Sequence, residues 1–362
     1  MENTKSNFSL CDFQLQSPII VGSGPLTYNA DGIKRAHKAG AGAVVTKTIR
    51  AKKAVNPLPH IAPEGSKSLI NAEKWSDLSP EKWIKQELPA VKEHEAVVVA
   101  SLGHTTEEVE QYAESIEAAG ADCLELVSYH EHEILDMIDI ASKKTSLPLV
   151  VKISYNWTNP VEKTLKAANK NIDALTIMDS IGPVFTVNIE NGSPKLPGQD
   201  GLGWLTGGAI RPVTQGLIAR VAEKIEVPII GLGGIMDGKD AIEMMMSGAD
   251  LIGVCSALIK NGVGYIETLY ENMDKELERL NYDDYKDIIG LAVENRAHEE
   301  VTEEFDFIYK PEICTECNKC VQVCPYNARF LQGKKMNLDE DLCRHCGYCS
   351  FVCPVEALQI SR

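Results

Sequence analysis

From residue 19 to about residue 260 the chain alternates short apolar, β-branched runs with stretches of helical period. The runs are IIVGSG from Ile19, AVVTKTI from Ala43, VVVASLG from Val97, CLELVS from Cys123, LVVKIS from Leu149, ALTIMDS from Ala174, IIGLGG from Ile229 and LIGVCS from Leu251. Runs this continuously apolar suit strands buried on both faces, as in a parallel sheet. Between them the spacing predicts helices such as 105–119, opening on the capping-box-like Thr105-Thr106-Glu107-Glu108, and 237–247. Eight alternating β and α units over this length predict a closed (β/α)8 TIM barrel rather than an open doubly wound sheet.

The polar positions agree with a barrel. Lys47, Ser101, Ser128, Lys152, Asp179, Gly233 and Ser256 all fall at or near the C-terminal ends of their runs, where barrel enzymes place their chemistry. Two long connections rich in Gly, Pro and Asn, 50–80 and 181–211, are expected to be functional lids. GLGGIMDG from Gly231 is not a dinucleotide fingerprint, because Met236 stands where the third Gly belongs. In a barrel this glycine loop, with the end of the eighth run at 254–256, is the expected phosphate site. Met244, Met245 and Met246 are read as helix packing.

Beyond residue 300 the chemistry changes. Eight of the eleven cysteines fall in two runs, Cys314-x-x-Cys317-x-x-Cys320-x-x-x-Cys324-Pro325 and Cys343-x-x-Cys346-x-x-Cys349-x-x-x-Cys353-Pro354. This is the bacterial ferredoxin spacing, in which three close thiolates hold one cubane and the fourth crosses to the other. Cys314, Cys317, Cys320 and Cys353 are therefore assigned to one 4Fe-4S cluster, and Cys343, Cys346, Cys349 and Cys324 to a second. Structural zinc is the rival, but four-ligand sites do not explain a duplicated run with a crossing fourth cysteine. Cys11, Cys123 and Cys255 are read as buried small hydrophobes. The polar stretch 294–306 marks the boundary between a barrel at 1–300 and a small ferredoxin-like dicluster domain at 301–362.

Clusters pass single electrons whereas organic C–H oxidation moves a hydride, so a flavin between them is chemically motivated. FMN carries the single phosphate that the glycine loop would bind. Lys47 and Lys152, costly to bury unpaired, would then stabilise the negative charge of a reduced flavin and orient substrate, if they are not simply structural ion pairs. A formal charge of −16 argues against a nucleic-acid partner, which needs a basic footprint. The N-terminus lacks the pattern of a signal peptide and no apolar run reaches membrane-spanning length. With thiolates that require reducing conditions, the expectation is a cytoplasmic protein with no membrane partner, forming a homo-oligomer.

Taken together, the segments FSLCDFQLQSPIIVGSGP, VVTKTI, SLINAEKW, AGADCLEL, VVKISYN, 207–212 and GLGGIMDGKDAIEMMMSGAD resemble the FMN-barrel family of dihydroorotate dehydrogenases. Joined to the cysteine runs, they most resemble its dihydropyrimidine dehydrogenase branch, and the resemblance spans nearly the whole chain. It implies FMN contacts at Ser23, Thr46, Lys47, Lys152, Gly207, Gly208, Gly233, Gly234, Cys255 and Ser256. It also implies substrate contacts at Asn71, Asp179 and Ser180, the last two standing where the family carries Asn-Thr. Asn156 lies near the asparagine of the family's T-P-N segment but follows Tyr155.

The departures gather at the chemistry. Where the family reads N-x-S-C-P, this chain has Val127-Ser128-Tyr129-His130-Glu131. Direct alignment sets Val127 on the amide-binding Asn and His130 on the proton-transferring Cys, with Tyr129 as the alternative after a one-residue shift. Lys47 completes the catalytic set. HEHE at 130–133 suits a metal poorly, since residues two apart on a helix do not face each other. The expected function is an FMN- and iron–sulfur-dependent oxidoreductase acting on a CH–CH or C=C bond of a small molecule. Electrons would be exchanged with a separate NAD(P)H-oxidising flavoprotein subunit or a ferredoxin. The competing readings are an FMN electron-transfer subunit without turnover, and a phosphate-binding barrel lyase fused to a ferredoxin.

Overall fold

All eight apolar runs become strands of one closed parallel barrel: β1 (Ile19–Val21), β2 (Ala43–Val45), β3 (Val97–Leu102), β4 (Cys123–Val127), β5 (Leu149–Ile153), β6 (Ala174–Ile177), β7 (Ile229–Leu232) and β8 (Leu251–Val254). Each pairs with the next, and β8 returns to β1 with Ile252 opposite Ile19 and Val254 opposite Val21. The computed structural model describes residues 7–92, 94–333 and 335–361, and the chain divides into two compact units, 1–296 and 297–362.

Burial explains the apolar runs. Every residue of β4, β5, β6, β7 and β8 is buried, as strands with a packed interior and a helical jacket must be. Helices follow where the period predicted them. Gly238–Met246 is capped by Asp237, whose side chain accepts from the Asp240 N–H at 3.1 Å. Its Met244 and Met245 are fully buried, and Met244 lies so close to β7 that a Cβ on Gly231 would meet its Cγ at 2.6 Å. The helix Thr106–Ala118 forms without the expected cap: Thr105 makes no side-chain cap bond, and Glu133 instead accepts from the Thr106 N–H at 3.0 Å.

The two long connections carry regular structure. Each folds into strands, and the two pair with one another in a four-stranded antiparallel sheet ordered Ile181–Phe185, Leu202–Gly207, Ser68–Asn71, Ile61–Glu64. Its register sets Trp204 opposite Asn71 and Gly207 opposite Ser68. A small core of Ile70, Ala72 and Leu196 supports it. Among the described residues no helix is long and apolar enough to cross a membrane.

The unit 297–362 is an internal repeat. Antiparallel pairs join Asp306–Tyr309 to Leu358–Ser361 and Arg329–Gln332 to Lys335–Leu338, with the short helices Lys319–Gln322 and Tyr348–Phe351 between them. The repeat is visible in the backbone: Glu316 and His345, Asn318 and Gly347, and Asn327 and Glu356 occupy matching places and all have positive φ.

Candidate active site and cluster sites

The C-terminal strand ends and the four-stranded sheet enclose a cavity of about 330 Å³, within the usual range for small-molecule sites. Its wall includes Ser23, Lys47, Lys152, Gly207, Gly233, Gly234, Cys255 and Ser256 of the expected cofactor contacts, and Asn71, Asp179, Ser180 and Tyr129 of the expected substrate and catalytic positions. Three expected residues stand elsewhere. Thr46 is buried behind the wall, its hydroxyl accepting from the Ser101 N–H at 3.0 Å. Gly208 donates its N–H to the Lys67 carbonyl at 2.9 Å. His130 is exposed and stacks on His104, ring centroids 4.5 Å apart and planes 2° from parallel.

The position of His130 follows from strand alternation. Glu125 points into the barrel, Val127 and Tyr129 follow at two-residue steps and line the cavity, and His130 is therefore turned outward. Tyr129 donates its hydroxyl hydrogen to Asp179 Oδ2 at 2.9 Å, and the Ser180 side chain hydrogen-bonds the Tyr129 phenol oxygen. Its ring stacks on Trp204 at 5.0 Å and 13° and lies 5.2 Å from Trp75. Burial, reinforced by the Asp179 carboxylate, raises the Tyr129 pKa well above the ordinary phenol value, so it is a neutral phenol at physiological pH.

Both lysines have partners. Lys47 Nζ is 2.9 Å from Glu73 Oε1, in a pair that is almost wholly buried. Lys152 lies laterally between Val127 of β4 and Thr176 of β6, 3.9 Å from Glu125 Oε1. Thr176 donates to Glu125 Oε2 at 3.1 Å, while Oε1 has no hydrogen-bond partner. Burial works against the Lys152 ammonium, but the carboxylates of Asp179 and Glu125 outweigh it, and its pKa stands above the usual lysine value. Burial and Glu73 push the Cys255 thiol up to about 11 against the pull of Lys47 and Lys152, leaving it a neutral thiol.

These residues fit a flat ring with a phosphate tail. Lys47 and Lys152 face the cavity, Leu232, Ile235 and Met178 supply apolar wall, and Ser23 and Ser256 line it. Gly233 and Gly234 adopt φ of 125° and 98°, which exposes successive backbone groups as glycine alone does cheaply. Gly234 is also pressed against helix Arg211–Val221: a Cβ there would lie 2.4 Å from Arg211 Cβ. Asn71 is partly occupied, its amide donating to the Trp204 carbonyl at 3.4 Å and its oxygen accepting from the Glu73 N–H at 3.2 Å. Asn156 ties down the loop after β6, through the Ser180 carbonyl and the Gly182 N–H, each at 3.2 Å.

Sequence reasoning assigned no role to Glu73, Trp75, His104 or Trp204. Trp204 sits in the alternating run LGWLTG, which is a strand signal inside a supposed loop, and Glu73 and Trp75 lie within the SLINAEKW segment itself.

In the unit 297–362 the cysteines border two separate cavities. One is walled by Cys314, Cys317, Cys320 and Cys353, the other by Cys343, Cys346, Cys349 and Cys324. Among the described residues no three His, Cys, Asp or Glu side chains converge tightly enough for a single metal ion. Four thiols spaced around a cavity suit a cubane better than zinc.

Residues 6–277 match the protein family described as "Dihydroorotate dehydrogenase", and residues 313–357 match a "4Fe-4S dicluster domain". The chain is 27% identical over 297 residues to the "Dihydroorotate dehydrogenase B (NAD(+)), catalytic subunit" of Methanothermobacter thermautotrophicus, covering 78% of this chain and 97% of that protein. The protein of the same description from Geotalea uraniireducens is 28% identical over 296 residues, covering 77% and 95%. That from Geobacter metallireducens is 26% identical over 306 residues, covering 80% and 99%.

Proposed function

Because the chain belongs to the dihydroorotate dehydrogenase family, an oxidoreductase family that binds FMN, we propose that it reduces or forms a C=C bond in an uncharged unsaturated ring. The observation that carries this reading is the buried Lys47–Glu73 pair beside the neutral Tyr129 phenol in one cavity. A substrate carboxylate needs a free cation, and Glu73 already neutralises Lys47. The aromatic wall of Trp75, Tyr129 and Trp204 favours a flat, neutral partner.

FMN, when bound, supplies hydride exchange with the substrate carbon. Backbone N–H groups at Gly233 and Gly234, with Ser256, would hold its phosphate, and Lys152 would offset the charge of its reduced ring. Ser23, Lys47, Gly207 and Cys255 complete the wall around it, with Thr46 and Gly208 bracing that wall from behind. Tyr129 gives its proton to the substrate carbon adjacent to the one receiving hydride. A phenol kept neutral is a donor rather than a base, which favours the direction of C=C reduction. Asn71, Asp179 and Ser180 orient the ring.

The two 4Fe-4S clusters exchange electrons one at a time with a partner. The relatives' names mark them as catalytic subunits of NAD+-dependent enzymes, which supports a separate NAD(P)H-oxidising flavoprotein subunit, with a ferredoxin as the alternative source. The thiolates suit a reducing cytoplasmic setting.

The test is anaerobic reoxidation of the reduced holoprotein by a panel of neutral cyclic enamides and enones alongside orotate, followed by flavin absorbance. The expected outcome is turnover with neutral rings in preference to orotate. Orotate as the best acceptor overturns the substrate class. Flavin that no organic compound reoxidises leaves an electron-transfer subunit instead.

A further inference from the structure

The repeat within 297–362 is broken at one buried position. Both halves read Cys-Pro-x-x-Ala and then enter a strand, at Arg329 in the first half and at Leu358 in the second. Both side chains are buried, 4% and 3% exposed. An aliphatic residue there needs no explanation. A guanidinium does, because burying an unpaired charge is expensive.

Arg329 has no carboxylate partner among the described residues. Its Nη1 lies 3.3 Å from the Met336 sulfur, its Cζ lies 4.1 Å over the Phe307 ring, and the guanidinium also hydrogen-bonds the Cys349 thiol of the adjoining cavity. Nε and Nη2 are buried without any hydrogen-bond partner. The side chain borders the cavity walled by Cys343, Cys346, Cys349 and Cys324, and not the cavity of the other four cysteines. Two other cations approach the cavities, Arg344 at this one and Lys319 at the other, but both are exposed and their fields are screened by water and salt.

We propose that Arg329 is the internal counter-charge of the cluster held by Cys343, Cys346, Cys349 and Cys324, donating its unpartnered N–H groups to cluster sulfur and setting that cluster's reduction potential above its neighbour's. The inference rests on the dicluster assignment. Reduction adds one electron to an already anionic cluster, so a buried positive charge and N–H donors at its sulfurs favour the reduced state. The neighbouring cluster has Leu358 in the equivalent place and no guanidinium bordering its cavity; the Arg329 charge reaches its ligand Cys320 as well, but without N–H donors at that cavity its bias is the weaker one. Two stations of near-identical ligation are thereby made unequal, and the electron rests preferentially on the Arg329 side.

The experiment is an anaerobic potentiometric titration of the full-length holoprotein, read by electron paramagnetic resonance, on the native chain and on Arg329→Leu, Arg329→Gln and Arg329→Lys. The native protein should give two separated midpoints. Arg329→Leu, which copies the other half of the repeat, should lower the higher midpoint by at least tenfold in the reduction equilibrium, about 59 mV for one electron, and move the lower one less. Arg329→Gln keeps a donor but not the charge and should fall in the same direction, whereas Arg329→Lys should stay closer to native. If Arg329→Leu loses iron, the Gln and Lys pair decides. Equal midpoints in Gln, Lys and native proteins with iron retained would overturn the proposal and leave Arg329 a packing residue. Native protein lacking about eight iron per chain would instead refute the dicluster assignment.

Discussion

Tyr129 reaches across the barrel mouth from the end of β4 to give its hydroxyl hydrogen to Asp179, which follows β6, at 2.9 Å. Tyr129 stands one residue before the position that direct alignment gives to proton transfer, Asp179 stands where the family carries an amide-recognising Asn, and here the two form a single hydrogen-bonded unit. Trp204 holds the Tyr129 ring by stacking. Tyr129→Phe keeps that stacking and removes only the acidic hydrogen. It should lower turnover by roughly a hundredfold or more, the usual scale of general acid catalysis, with FMN and iron retained. His130→Ala, which changes an exposed ring outside the cavity, should remain within a fewfold of native. Stopped-flow reoxidation of the flavin reads both; the opposite pattern would return the proton to His130.

Replacing Glu73 by Gln keeps the shape of the side chain and releases Lys47 from its buried partner. A carboxylated ring such as orotate should then bind about tenfold tighter or more, corresponding to ~1.4 kcal/mol, near the lower end of what a charged hydrogen bond contributes. Binding to the oxidised protein is measured by perturbation of the flavin spectrum. Unaltered orotate affinity would mean that something other than Glu73 excludes the carboxylate.

The barrel was legible because each strand is a continuous apolar run bounded by turn residues, and the dicluster domain because its cysteine spacing has few other physical explanations. The sheet over the mouth was not. Its central pair joins Ser68–Asn71 to Leu202–Gly207, segments far apart in sequence, and Gly182 and Pro183 interrupt the alternation of the edge strand. Tyr129 and His130 show a different limit. Alignment by motif counts residues to His130 with Tyr129 as the one-residue alternative, and the two-residue periodicity from Glu125 through Val127 is what turns Tyr129 towards the cavity. Gly234 was legible as an essential glycine for a reason only half right: besides any phosphate contact, it makes room for the start of helix Arg211–Val221, so a bulky substitution there would displace Arg211, which is paired with Asp240.

Cys353 lines the cavity that Cys314, Cys317 and Cys320 surround, the placement that crossed ligation requires. Cys353→Ala should therefore damage that cluster and spare the one bordered by Arg329, leaving roughly half the iron and the higher of the two midpoints. Iron analysis and paramagnetic resonance on the same anaerobic sample decide it. Loss of the Arg329-side signal with the other intact would show that the fourth ligand does not cross.

His104 links the site to pH. Its Nδ1 lies 3.0 Å from the Ser128 hydroxyl and accepts the Tyr129 N–H at 3.3 Å, so the neutral ring helps to hold the backbone that carries the proton donor. Burial lowers its pKa to about 4 from 6.5, helped by the charges of Arg50 and His130 and opposed by Glu108 and Glu133. In the unfolded chain this histidine takes up a proton as pH falls through 6.5, whereas in the folded chain it does not until about 4. The unfolded state binds more protons in that window, so the folded state loses stability as pH drops from 6.5 towards 4. His104→Gln removes the titrating group. Native protein should be the more stable at pH 7, and its advantage in apparent Tm should shrink steadily towards pH 5 as the native chain alone bears this penalty. Parallel curves for the two proteins across that range would show that His104 is not the source of the acid sensitivity.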